Sequence, residues 1–164
     1  MRFPKIIISY LALCTLISCE NRDVKAVTLM NDTTSVIRFA IAEAFRDARL
    51  PEIEQLRRRY YFKNQILLTS DSLPLELLPG YVDTINFKVL SKEEICKMIS
   101  ADSLEQDHPN YLCVNNLMKN DSGYYLNIGS LSCVPFGGGG IMGIDISKRN
   151  DSFVVIHKGF SNVN

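Results

Sequence analysis

The chain has 164 residues, 46% of them hydrophobic, with no Trp, five Cys, and 18 basic side chains balanced by 18 acidic ones. That balance gives no reason to expect a nucleic-acid partner. No internal repeat or low-complexity tract interrupts the chain, so it reads as one ordinary folded domain behind a distinct amino-terminal segment.

That segment carries Arg2 and Lys5, then an apolar stretch from Ile6 to Ile17, the layout of an export signal. Crossing a bilayer as a helix takes roughly 20 apolar residues. Here the apolar run gives way at once to Glu20, Asn21, Arg22 and Asp23, so a cleaved signal is expected rather than a span. The run ends Leu16-Ile17-Ser18-Cys19, which resembles the lipobox of bacterial lipoproteins. The resemblance implies that residues 1–18 are removed as a signal peptide and that the Cys19 thiol carries a diacylglycerol beside an acylated amino terminus. At about 0.8 kcal/mol per buried CH₂, two or three chains are needed for stable attachment. Glu20 in place of Asp resembles the pattern of outer-membrane sorting. The competing reading is a Cys that merely follows an ordinary signal.

Losing the signal removes Arg2 and Lys5 and no acid, leaving 16 basic against 18 acidic side chains. About 145 residues then suit a single domain with one sizeable core. Cys14 leaves with the signal and Cys19 is lipidated, so Cys96, Cys113 and Cys133 remain. An odd trio cannot pair completely. Export favours one disulfide and one buried thiol, with the pair left open and three buried thiols as the alternative.

Residues 19–32 read as a lipidated polar tether of about 45 Å when extended, and 33–164 as the domain. Val36, Ile37, Ala40, Ile41, Ala44, Phe45 and Ala48 recur at helical spacing, with an N-cap from Thr33 to Ser35. Pro51 opens a second helix with Ile53, Leu56 and Tyr60 inward, ending in Arg57-Arg58-Arg59. Those arginines suit a helix C-terminus, and at 100° per residue they fan apart rather than converge on an anion. Gln65–Thr69 reads as a strand. Ser70–Gly80 follows as a loop, since Pro74 and Pro79 bar a central strand; its Leu73, Leu75, Leu77 and Leu78 pack over the sheet or form a partner-binding lip. Thr84–Leu90 alternates as a half-buried strand, and Ser91 with Glu94 forms a capping box before a helix facing Ile95, Met98 and Ile99 inward.

The last third reads as an antiparallel meander, with four-residue connections at Asn120–Gly123 and Lys148–Asp151. If Lys119 faces Tyr124, Cys113 shares a face with Ser130 and Ser132, and a Cys113–Cys133 disulfide would need a bulge. The expected fold class is therefore α+β, N-terminal helices packed on an antiparallel β-sheet with a C-terminal meander.

Candidate chemistry is sparse. Gly137, Gly138, Gly139 and Gly140 lead into an alternating strand, not a helix N-terminus, so a phosphate cradle is disfavoured. The run reads as a wide connection or a bulge bending an edge strand that a partner peptide could approach. A thiol-dependent hydrolase would need Cys133 or Cys113 beside His157, placed on a strand face with Phe153 and Val155. No nucleophile-elbow signature supports that arrangement. Asp107, His108 and Cys113 lack a second cluster for a metal, and neither Glu93 with Glu94 nor Glu52 with Glu54 makes a convincing acid/base pair. No cofactor and no metal is expected.

Asp32-Thr33-Thr34, Asp71-Ser72-Leu73, Asp83-Thr84-Ile85 and Asp102-Ser103-Leu104 resemble the acceptor of general O-glycosylation in some Gram-negative gut and soil bacteria. The resemblance implies sugar on Thr33, Ser72, Thr84 and Ser103, although Asp-Ser and Asp-Thr also serve turns and caps. The lipobox, "INFKVLSKEEI" and "NYLCVNNLMKNDSGYYLNIGSLSCVPFGGGGIMGIDIS" resemble small lipoproteins of those same bacteria whose activity is uncharacterised. The resemblance implies location and fold, and no catalytic residue. The expectation is a non-enzymatic binding or accessory module of the cell envelope, bound to the outer membrane through its lipid and to an envelope protein partner. Its alternatives are the thiol-dependent hydrolase and an immunity-type inhibitor.

Overall fold

A computed structural model of the chain describes residues 32–47, 65–101, 110–133 and 139–163. The chain divides into two compact units, Met1–Thr33 and Thr34–Asn164, and the sheet belongs to the second. Helix α1 covers residues 32–46 and α2 Lys92–Ala101; the strands are β1 (Gln65–Thr69), β2 (Tyr81–Val82), β3 (Ile85–Val89), β4 (Tyr111–Asn120), β5 (Gly123–Leu131), β6 (Gly139–Arg149) and β7 (Ser152–Val163). The expected α+β class is corrected: among the described residues the fold is mostly β, 52% strand against 28% helix, a curled half-barrel of seven strands with two helices.

The sheet order is β2-β3-β1-β4-β5-β6-β7, and it is mixed rather than antiparallel. β1 has parallel neighbours on both sides, β3 and β4. β3 and β4 are joined through α2, so the chain leaves one side of β1 and returns on the other. A parallel crossover needs such an intervening segment. Nothing in the local alternation of β1, β3 or β4 encodes it. The β4–β5 and β6–β7 hairpins are tighter than expected: Asn120 pairs with Gly123 and Arg149 with Ser152, leaving two-residue connections. Asn150, at φ 54°, takes the left-handed backbone that the second turn requires.

Two bulges reset the strand faces. In β4 the register slips between Asn115 and Met118, with Asn116 the extra residue at φ 57°. In β7 it slips at Ile156, since Asp145 pairs with His157 but Ile146 with Val155. Side chains alternate with period two, so each slip carries all residues beyond it to the other face.

The inner face holds the larger core. Ile66, Leu68, Phe87, Leu112, Val114, Leu126, Ile128, Met142, Ile144 and Ile146 meet Val36, Ile37, Ala40, Ile41, Ala44 and Phe45 of α1. The helix starts before the expected cap, with Thr33–Ser35 already inside it. Both ends of the sheet reach α1. Arg38 lies 4.5 Å from the Tyr81 ring centroid of β2, and its hydrogen bond, followed by its positive charge, holds that phenol below its ordinary pKa. On β7, Lys158 donates to the Glu43 carbonyl at 3.0 Å and pairs with Glu43 at 3.2 Å and Asp47 at 3.6 Å. A cation there meets the partial negative charge and open carbonyls of the helix C-terminus.

The outer face carries a smaller core of Leu67, Ile95, Ile99, Tyr111 and Cys113 beneath α2. The capping box forms as expected: Ser91 N donates to Glu94 Oε2 at 2.9 Å, and Glu94 N to Ser91 Oγ at 3.2 Å. The Ser91 hydroxyl, which also donates to Glu94 Oε2 at 2.7 Å, and then the Ser91 N–H hold the Glu94 carboxyl below its ordinary pKa.

Removing Lys158 would leave Glu43 and Asp47, whose side chains are 19% and 9% exposed, without that cation. Lys158→Ala is therefore expected to cost about 1–3 kcal/mol in urea unfolding, and Ile41→Ala, which empties a site at 0% exposure, about 2–5 kcal/mol. A loss below about 0.5 kcal/mol for Lys158→Ala would show that the edge tie is a solvated surface pair.

Candidate functional site

The three cysteines of the domain separate into a bond and a thiol. Cys96 of α2 and Cys133, beyond the end of β5, form a disulfide with Cα atoms 5.4 Å apart. Cys113 of β4 is free and buried. The bulge at Asn116 puts Cys113 opposite Gly129, hence on the outer face with Leu131 and not with Ser130, which corrects the expected placement. Cys133 is bonded to Cys96 instead, so the Cys113–Cys133 pair that a bulge would have allowed is not made.

Around Cys113 the parallel register gathers polar groups from three elements. Thr69 is its neighbour on β1, fully buried, with an Oγ1 that has no hydrogen-bond partner. After β1, Asp71 N donates to Asn115 Oδ1 at 2.9 Å, and Asn116 N donates to Ser72 Oγ at 3.0 Å. These bonds fasten the loop to the bulge of β4. Burial pushes the Cys113 thiol up to about 11, helped by the charge of Asp71 and opposed by hydrogen bonds from Asp71 backbone and Asn115 and by Lys92. Burial likewise pushes the Tyr111 hydroxyl up to about 12, with Cys113 and Asp71 contributing. A thiol held neutral in this way is a poor nucleophile.

The residues expected for a hydrolase are not brought together. Cys133 is bonded to Cys96. His157 lies on β7, three strands from β4, a lateral separation of about 14 Å. The bulge at Ile156 also moves His157 away from Phe153 and Val155, which pack on the inner core, and sets it opposite Asp145 on the outer face. Its Nδ1 is 3.8 Å from Asp145 Oδ2, and both side chains are exposed, at 69% and 42%. Beside them Tyr125 Oη donates to Asn127 Oδ1 at 2.7 Å, and the Tyr125 ring covers Gly143, where an added Cβ would come 2.8 Å from that hydroxyl. Tyr125, Asn127, Asp145 and His157 thus form a polar row on the sheet's outer face. No local motif announces it, because cross-strand register assembles it.

The remaining candidates take ordinary places. Leu78 is buried, while Leu73, Leu75 and Leu77 are half-buried against the inner core, so little of a leucine lip is left open. Gly139 and Gly140 begin β6, which is flanked by β5 and β7, so the expected edge is not theirs. A Cβ at Gly139 would collide with the Ser130 carbonyl, which explains glycine there. Gly137, Gly138, Ser103, Arg57–Arg59, Asp107 and His108 lie outside the described residues. Thr33 is half-buried in α1, Ser72 is exposed with its hydroxyl accepting from Asn116, and Thr84 stands exposed in the β2–β3 turn. Among the described residues no three His, Cys, Asp or Glu side chains group to hold a metal. No helix among them is long and apolar enough to cross a membrane. The chain matches no family model, no curated protein and no solved structure.

Because the folded thiol binds its proton more tightly than the ordinary value of 9.0, the folded state gains stability from Cys113 below pH 9. That contribution is lost as pH rises through about 11. Urea titrations at stepped pH are expected to show stability falling over this window in the wild type, with a shallower fall in Cys113→Ala. Parallel curves for the two proteins would exclude the thiol as a source of alkaline instability.

Proposed function

We propose that this protein is a lipoprotein of the bacterial cell envelope, anchored through Cys19 at the outer membrane, with a non-enzymatic binding or accessory role. The observation that carries the reading is the Cys96–Cys133 disulfide. Such bonds persist in oxidising compartments outside the cytoplasm, which agrees with the export signal and lipobox read from residues 1–19. The lipid would tether the domain, and an envelope protein would be its partner.

For a binding role the best-supported surface is the edge strand β7, in place of the glycine run. It is 12 residues long and ends the sheet. Of the exposed large hydrophobic residues, Val154, Ile156 and Phe160 sit on it, and its single lysine is turned in toward α1. Of the devices that protect such edges, β7 has the bulge at Ile156 but neither proline nor short length, and an extended partner segment can add to an open edge.

Growing the producing cell with radioactive fatty acid is expected to label the wild type and leave Cys19→Ser unlabelled; label on Cys19→Ser would overturn the anchor. For the edge, Ile156→Lys is expected to change stability by no more than about 0.5 kcal/mol. It should also cut recovery of a cross-linked envelope partner by roughly tenfold, since a lysine on an edge strand opposes strand addition. Unchanged recovery would rule out β7 as the contact surface.

A further inference from the structure

The disulfide, the short helix and the buried thiol occupy the same face of the sheet. Of the ten residues of α2, Ile95 and Ile99 are the buried ones, and a helix of that length does not hold together by itself in water. Cys113 is 2% exposed within the cluster that α2 completes. Lys92 of α2 is near enough for its charge to act on the thiol. Thr69 Oγ1, beside Cys113 and on the same face, is sealed without a partner. That costs free energy in the closed state and is relieved when water enters. Noncovalent forces therefore hold α2 weakly, and the covalent link to Cys133 supplies the rest. The inner core contains no residue of α2, so the sheet and α1 have their own support.

We propose that Cys96–Cys133 is a redox latch over Cys113, and that opening it turns Cys113 into a site for mixed-disulfide formation. A dithiol reductant transfers two electrons and two protons to the bonded sulfurs, becomes a disulfide itself, and leaves Cys96 and Cys133 as thiols. Released from its staple, α2 leaves the outer face and Cys113 meets water. Its ionisation returns toward that of an ordinary thiol, and the proton goes to solvent. The Cys113 thiolate can then attack a disulfide on another molecule: a Sγ–S bond forms, the partner's S–S bond breaks, and the departing thiolate takes up a proton. The partner class is thus a disulfide-bearing molecule met under reducing conditions. The latch is independent of the lipid anchor and of any role for β7.

The test follows Cys113 in the full lipidated chain in detergent, by timed N-ethylmaleimide alkylation and peptide mass spectrometry. The oxidised wild type is expected to label slowly at Cys113. Dithiothreitol treatment, and the double variant Cys96→Ser with Cys133→Ser without reductant, should each raise the rate by on the order of tenfold or more, with the far-UV strand signal retained. Offered oxidised glutathione, the double variant should then form a mixed disulfide on Cys113. Equal labelling in latched and unlatched protein overturns the proposal, and so does failure to form the glutathione adduct. Loss of the strand signal on reduction overturns it as well, because the bond would then hold the whole sheet and not α2 alone. Ile99→Ala in the oxidised chain gives an independent check: it loosens α2 while the staple stays, and labelling should rise far less than in the double variant.

Discussion

The apolar face of α1 in the hollow of the curled sheet is the contact on which the rest of this fold depends. Val36, Ile37, Ala40, Ile41 and Ala44 are fully buried there against residues drawn from β1, β3, β4, β5 and β6. A sheet this curved leaves a concave apolar surface that its own side chains do not fill, and interiors tolerate few voids. One helix fills it. The tilted ring contacts of Phe39 with Phe153 and of Phe45 with Phe87 place the same helix against both flanks of the sheet. Lys158 and Arg38 then tie it to the strands at either end.

The outer face is organised by a different force. Among the described residues it carries no extended apolar surface, and its cover there is a helix of nearly three turns held by a capping box, two isoleucines and a disulfide. The disulfide closes a loop across 37 residues of sequence, a constraint on the unfolded chain worth about 4 kcal/mol in the loop-entropy description. Beyond α2 the same face is polar, with Tyr125, Asn127, Asp145 and His157 in a row over glycine backbone. A protein with a strong inner core and a stapled outer layer can lose the second without losing the first. That asymmetry underlies the reading of Cys113 as a masked thiol.

Much of the local structure was legible because it rests on short-range chemistry. The strand at Gln65–Thr69, the Ser91–Glu94 box and the apolar stripe of α1 follow from side-chain period and from hydrogen bonds three residues apart. The pairing of one disulfide with one buried thiol is the outcome that the cysteine count favours if the chain is exported. The site was far less legible. Thr69 and Asp71 come near Cys113, and near its strand neighbours Tyr111 and Asn115, only through a parallel pairing of β1 with β4 that spans more than forty residues, and no local pattern encodes a parallel neighbour.

By itself, then, the sequence determined the elements: which stretches extend, where α2 is capped, which stripe of α1 is apolar, and how many cysteines can pair. The tertiary structure alone decided what those elements face. A strand's alternation tells which residues share a side only while the register is unbroken, and one extra residue reverses it. Asn116 and Ile156 are such residues. The first carries Cys113 under α2, away from Ser130; the second turns His157 away from the core toward Asp145. Whether a bulge forms depends on how both partner strands fit the curvature around α1. That is a property of the assembled sheet, and no single strand contains it.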